Sequence, residues 1–488
     1  MKQSVSFYLL PAFLLLALFQ SAKATTVVML SDTEMALDSQ VIIIGEVNSV
    51  VSAWDDARQM IWTYVEIERD LLIKGNLVES KIVLKQEGGE VWPYGIEIFG
   101  QPKFIPGQKV LLYLKSAPDG SLHVMHSFMG MFSIVEDEST GGFTVERTID
   151  MEQVNSLPRS DNEPVTNRAR LENYLAKLRS TMQREAAEIT RIESERASLS
   201  IYAVPAEYES KKQSSEGFSP AFAFMSDGVR WMEADSDEPI KFYVNSNNSP
   251  VPGGGQAELI RAMEAWSYQS SASIWIVPYG QTSKCGLDMD SQNVISFGDC
   301  RKQLDSPANC AGVLARTQVA FNTTGNKMVN GKMFKRLIDA DIVFNDGMDC
   351  FLTNPVTLAE VASHELGHAI GLGHSTSQDS IMRSFMYGDG RGATLSSDDK
   401  SGSLMIYPDK GQSREPEITD VQVKKGKKLT ISGRNFTANS MLIINGRMAK
   451  PNGFTAGRQL SYKGKLNAAG TNELYVLNSS GKSSLFQF

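Results

Sequence analysis

VASHELGHAIGLGHSTSQDSIM (Val361–Met382) holds three of the chain's five histidines. His364 and His368 lie four apart, so on a helix they share one face and can converge on one ion. Glu365 stands beside them, placed to act as a general base on water held at that ion. Gly371 follows three residues after His368. A glycine there can take a positive φ, end the helix and turn the chain back, which brings His374 in as a third ligand. Three neutral imidazoles leave the fourth position of a tetrahedral zinc open, the arrangement of a catalytic site; structural zinc is closed, usually by cysteine.

Upstream, Thr357-Leu358-Ala359-Glu360 reads as a capping box, and Asn354-Pro355 is a second start for the same helix. Leu358, Val361, Ala362, Ala369 and Ile370 supply its packing face. A helix whose histidines coincide by chance would account for H-E-x-x-H alone. The following G-x-x-H at the right distance argues against coincidence.

HELGHAIGLGH (His364–His374) fits the metzincin signature H-E-x-x-H-x-x-G-x-x-H, and within that clan it resembles a matrixin, the matrix-metalloprotease type. Ser375 follows the third histidine, and Met382 in DSIM stands where the Met-turn methionine falls. TLSSDDKSGSLMIYP (Thr394–Pro408) resembles the matrixin C-terminal helix, AELIRAMEAWS (Ala257–Ser267) its first helix, and DADIVFND (Asp339–Asp346) a strand of its sheet. The resemblance covers about 229–410. It implies a zinc metalloendopeptidase: His364, His368 and His374 on catalytic zinc, Glu365 as base for a zinc-bound water, and Met382 in a structural turn. It also implies that Asp398 and Asp399 anchor the last helix to that turn. Matrix metalloproteases carry a second zinc on upstream histidines, and 229–363 has none. Their latency uses a propeptide cysteine, whereas the first cysteine here is Cys285. Some metzincins have tyrosine two residues after the Met-turn methionine; Ser384 stands there, and the role of Tyr387 is open.

The chain has 488 residues, enough for several domains, and a net charge of −8 without a lysine- or arginine-rich block, so no nucleic-acid partner is expected. Lys2, the apolar run Phe7–Phe19 and Ala22-Lys23-Ala24 read as a signal peptide over 1–24, so export to the periplasm, the cell surface or the extracellular space is expected, with no membrane span in the mature chain. Cys285, Cys300, Cys310 and Cys350 suit that compartment as two disulfides, with three pairings open.

The expected architecture is multidomain: an α+β zincin domain between an N-terminal β-rich domain and a C-terminal immunoglobulin-like β-sandwich. Residues 25–150 read as β-rich, a small barrel or sandwich faintly similar to OB-like domains. His123 and His126 lie three apart, on opposite faces of a strand, and are poor co-ligands. Residues 160–200 read as a long amphipathic helix, either a connecting element packed on a neighbour or a pro-segment over the cleft. Residues 201–228 read as a linker, with Lys211–Pro220 accessible to cutting. Residues 229–410 form the protease domain, whose sheet edge beside the cleft would bind a protein substrate extended, as an added strand. Asp339, Asp341, Asn345, Asp346 and Asp349 make calcium a second candidate cation. Residues 415–488 resemble an IPT/TIG domain, and either flanking domain could take a protein or glycan ligand. The alternative function is an exported adhesion or binding protein with an inactive protease-like domain.

Overall fold

The structure is a computed structural model that describes residues 27–137, 141–147, 165–195, 221–307, 310–386, 388–409, 415–424, 428–455, 458–464, 466–467 and 471–488, with the side chains of 185–195 excepted. The signal-peptide reading of 1–24, most of the linker reading and Tyr387 lie outside the described residues.

After β1 (Val27–Val28) come β2 (Val41–Trp54), β3 (Ile61–Lys74), β4 (Lys81–Glu87), the hairpin β5 (Gly89–Val91)–β6 (Tyr94–Ile98), β7 (Lys109–Ser116), β8 (Leu122–Val124), β9 (Met131–Asp137), β10 (Gly142–Glu146) and β11 (Arg168–Arg170). The pairings β2–β3, β3–β4, β4–β8, β8–β7 and β7–β2 close a five-stranded barrel. Its interior holds Ile43, Val65, Ile67, Leu84, Leu112 and Leu114. The run Val41-Ile42-Ile43-Ile44 is apolar without alternation because both faces are covered: Ile42, Ile44, Leu111 and Tyr113 join a second, larger core outside the barrel. The long helix, Leu171–Glu195, sends Tyr174 and Leu178 into that outer layer, with Tyr174 Oη 2.7 Å from Tyr113 Oη. Buried Asp32 ties the layer together, accepting from Lys177 Nζ at 2.8 Å and from the Thr166 hydroxyl.

A second large sheet includes β12 (Val229–Arg230), β13 (Ile240–Asn245), β14 (Ile276–Gln281), β15 (Val294–Phe297), β17 (Ala315–Val329) and β18 (Lys332–Phe344), while β16 (Gly312–Val313) pairs with β1 outside it. Its strand order is β14-β13-β15-β18-β17-β6-β5, so its outermost two strands come from the N-terminal segment. β13, β14, β15 and β18 pair parallel, whereas β17 runs antiparallel to β18. The helices Gln256–Glu264 and Pro355–Ala369 pack together over the sheet, and Trp266 Nε1 donates to Ser363 O at 2.7 Å between them. Of the three open cysteine pairings, the chain forms Cys285–Cys300 and Cys310–Cys350.

In 415–488, the strand orders β19 (Glu417–Lys424)-β20 (Lys428–Arg434)-β24 (Gln459–Lys463)-β23 (Gly453–Thr455) and β22 (Arg447–Ala449)-β21 (Met441–Ile444)-β25 (Glu473–Asn478) define two sheets around Leu429, Ile431, Leu442, Leu460 and Val476. Met441, Ile443 and Leu477 of this unit pack on Val277 of β14 and on Trp275 just before it. No helix among the described residues is long and apolar enough to cross a membrane.

Candidate metal centre and peptide cleft

The histidine-bearing helix begins at Pro355, at the second of the two expected starts and two residues before the capping-box start at Thr357. Asn354 caps it by accepting from Val356 N–H at 2.9 Å, and Pro355 at the first position has its φ already set for the helix. Thr357 and Glu360 are therefore buried inside the helix. The other end behaves as the sequence predicts. Gly371 sits at φ 105°, and a Cβ there would strike the carbonyl of Val229. The chain then reverses and delivers His374.

All three histidines are buried. The Nε2 atoms of His368 and His374 each lie 2.9 Å from Nε2 of His364. The opposite nitrogens are held. His364 Nδ1 donates to Ile381 O at 2.7 Å, His368 Nδ1 donates to Leu372 O at 2.9 Å, and His374 Nδ1 pairs with Ser384 Oγ. A carbonyl oxygen only accepts, so the protons of His364 and His368 must sit on Nδ1. Their Nε2 lone pairs then face each other at hydrogen-bond distance with no proton between them. Protonation is opposed, because burial pushes both imidazoles below their ordinary value. A cation that accepts nitrogen ligands resolves the conflict, and zinc with three histidines fits it.

Glu365 is fully buried, and its Oε2 accepts from Thr317 Oγ1 at 2.6 Å. Thr317 lies on β17, so the sheet edge and the carboxylate are locked together. Met382 packs its sulfur beneath Gly367. Asp399 holds the turn before Met382, accepting from Ile381 N–H at 2.9 Å, Met382 N–H at 3.2 Å and the Ser380 hydroxyl. Asp398 goes elsewhere: its carboxylate accepts from Ser375 Oγ at 2.6 Å, next to the third histidine.

The Matrixin family model matches residues 230–408. Metalloendoproteinase 2-MMP of Arabidopsis thaliana is 36% identical over 98 residues, 20% of this chain and 24% of that protein. Matrix metalloproteinase-25 of Mus musculus is 49% identical over 57 residues, 11% of this chain and 9% of that protein. Metalloendoproteinase 5-MMP of Arabidopsis thaliana is 43% identical over 56 residues, 12% of this chain and 16% of that protein. The chain thus spans a quarter or less of the length of these relatives.

Residues 230–408 are a matrixin-like metzincin domain.

Within the matrixin-like domain the five oxygen-bearing residues proposed for calcium do not meet at one point. Asp339 Oδ2 accepts from the amides of Asp290 and Ser291 at 2.6 and 2.7 Å, and Asp341 accepts from those of Asp288 and Val294, both at 2.8 Å. These two carboxylates hold the loop 288–294. Burial pushes Asp339 up to about 6 and Asp341 well above the ordinary range. Asn345 instead donates to Asp305 O and Val313 O, and Asp346 pairs with Lys302 at 3.0 Å. Among the described residues the histidine triad is the one cluster of three or more His, Cys, Asp or Glu ligand atoms placed to hold a metal. His123 and His126 are not ligands together: His123 Nε2 meets Asp305 at 3.2 Å, and His126 Nε2 meets Asp38 at 3.4 Å.

Sequence reasoning missed Thr317, the Ser384 contact to His374, and Phe99. The Phe99 ring, from the N-terminal segment, stacks on His368 with centroids 3.6 Å apart and planes at 13°. No spacing rule connects positions so far apart in the chain.

Proposed function

We propose that the chain is an exported zinc-dependent endopeptidase that cleaves protein substrates, with Glu365 as its general base and His364, His368 and His374 as its metal ligands. One observation carries the reading: three buried imidazoles turn bare Nε2 atoms toward one point beside a buried carboxylate. When bound there, zinc supplies a Lewis acid that polarises the scissile carbonyl and makes water acidic. The chain's own residues do the rest. Ile381 O, Leu372 O and Ser384 Oγ fix the imidazole orientations. Thr317 orients the Glu365 carboxylate, which takes the proton of the attacking water and returns it to the leaving amine. Met382 packs below the site as a structural turn. The edge of β17, which β6 covers in the intact chain, is the one that would offer an extended peptide a row of main-chain partners leading to Glu365. Export is supported by the N-terminal apolar segment and by two disulfides.

The test is cleavage of casein by the zinc-loaded chain after limited cutting within Lys211–Pro220, with and without a chelator. Glu365→Gln should bind one equivalent of zinc yet cleave about 10²–10⁴-fold more slowly. Chelation should abolish cleavage and added zinc restore it. A cut, zinc-loaded wild type that cleaves nothing would sink the reading.

A further inference from the structure

Removed from its N-terminal partner, β17 would be an edge strand, with unpaired N–H and C=O groups facing the cleft. Such an edge takes another strand readily. Here it already has one. β6 runs antiparallel along it, with Tyr94 opposite Asn322, Gly95 opposite Phe321, Ile96 opposite Ala320, Glu97 opposite Val319 and Ile98 opposite Gln318. The pairing continues beyond the strand at both ends: Phe99 N–H donates to Thr317 O at 3.0 Å, and Thr323 N–H donates to Pro93 O at 2.8 Å.

Side chains alternate across the added strand. Ile96 and Ile98 pack with Met60, Ile61 and Ala320 on the barrel side. Phe99 points the other way and ends the strand at the metal centre, stacked on His368 and 6.1 Å from the His374 ring. It is only 6% exposed. Glu97, on the same side, accepts from Ser226 Oγ and pairs with Lys103 at 3.2 Å. Buried polar contacts pin the barrel behind the hairpin. Arg316, next to Thr317, donates to Ser127 Oγ at 2.7 Å and reaches Glu87 at 3.5 Å. A peptide and β6 cannot occupy the same edge of β17 together, and nothing can approach His368 from the Phe99 side while that ring is seated.

We propose that the hairpin Gly89–Phe99 is an internal occupant of the peptide groove, so that the intact chain is latent and displacement of the N-terminal barrel opens it; this rests on the endopeptidase reading above. The block is a paired strand and an aromatic ring, not a thiolate, since no cysteine precedes Cys285. Substrate binding then pays the cost of displacing β6, and apparent affinity falls by the fraction of molecules that are open.

The experiment uses the zinc-loaded full chain as wild type, Phe99→Ala and Gly95→Val. A Cβ at position 95 would run into the Phe321 ring, so valine wedges the hairpin off its partner, while alanine at 99 removes only the stacked ring. Neither position belongs to the proposed catalytic set. Two readouts are taken: hydrolysis of an internally quenched peptide, and binding of a fluorescent peptidyl hydroxamate, which needs the metal and the groove but no turnover. Both variants should hydrolyse faster and bind tighter than wild type by on the order of 10–100-fold. Tighter hydroxamate binding with no hydrolysis in any form would uphold the occupied groove and sink the endopeptidase reading alone. Hydrolysis by wild type as fast as by both variants, or hydroxamate binding unchanged in both, would overturn the proposal. Phe99→Ala leaves the backbone intact and decides the matter if the valine variant does not fold.

Discussion

The two walls of the cleft are built in opposite ways. On one side stand the histidine helix and its return loop, where the hydrogen bonds that orient the three imidazoles all span fewer than twenty residues. His368 bonds Leu372, His364 bonds Ile381, and Asp399 reaches back to Ile381 and Met382. On the other side stands β17 with β6 on its edge, joining residues more than two hundred positions apart. In the first wall the imidazole orientations are set within one short stretch of sequence, although that stretch also bonds to distant segments at Ala221, Ala223, Trp231 and Trp266. The second exists only after two distant parts of the chain have docked. On the reading proposed above, chemistry sits on the first wall and access on the second, with Thr317 joining the two.

Asp399 gives the sharpest test of the local wall. It is buried and takes hydrogen bonds from Ser380, Ile381, Met382 and the Ser396 amide at 2.7 Å. Asp399→Ala strands those amides in the interior, at a cost of about 3–4 kcal/mol, which should lower the melting temperature of the chain by roughly 10 °C. Because Ile381 O orients His364, zinc affinity should fall as well, by about 10–100-fold. A melting point that drops while zinc affinity stays put would separate the turn from the metal centre and break the picture of one local unit.

Thr317 lies where the two walls meet. Its hydroxyl holds Glu365 and its carbonyl accepts from Phe99. Thr317→Val removes the hydroxyl and keeps the shape. Since a hydrogen bond to a charged group is worth about 1.5–3 kcal/mol, kcat should fall by roughly 10–100-fold in the background of Phe99→Ala, with bound zinc and KM little changed. Thr317→Ser should recover most of it. A loss of zinc instead would make Thr317 part of the metal's support and not of the base's.

This division also accounts for what the sequence disclosed. The histidines, Glu365, Gly371 and Met382 were legible because helical periodicity and one glycine turn convert spacing into geometry. The strands of 25–150 were legible as apolar runs, and the helix near Leu171 by its period. Phe99, Thr317 and the invasion of the catalytic sheet by β6 were not. Tyr94-Gly95-Ile96-Glu97-Ile98 alternates like any strand, and alternation does not say which sheet a strand joins. Of the two helix starts the sequence offered, Asn354-Pro355 holds and the Thr357 capping box does not, for a related reason: Thr-x-x-Glu matches a capping box wherever it occurs, and the burial that excludes it is a property of the fold. The carboxylates read as a calcium candidate lie close in sequence, on a strand and its turn, and their partners differ: Asp339 and Asp341 take amides of the loop 288–294, and Asp346 pairs with Lys302.

The smallest expected effect probes the non-local wall by pH. Asp305, in the loop between Cys300 and Cys310, faces His123 and the backbone amide of His126, whose ring in turn faces Asp38. Burial alone would raise its carboxyl, but the His123 hydrogen bond, the charges of His126 and His123 and the His126 amide together hold it well below its ordinary value of 3.8. A carboxylate with a lowered folded value binds fewer protons in the folded chain than in the unfolded one. Its stabilisation is therefore complete above about pH 4 and is lost progressively as pH falls below that. Asp305→Asn should melt below wild type between pH 5 and 7, by the few degrees that correspond to roughly 1–3 kcal/mol. The two curves should draw together as pH drops from 4 toward 2. A gap that stays constant over that range would mean the barrel is held at Asp305 by shape and neutral hydrogen bonds, and that acid does not loosen this side of the cleft. A closing gap would make the docked barrel sensitive to acid at a contact well away from the metal, as expected of a wall assembled from distant segments and held partly by charge.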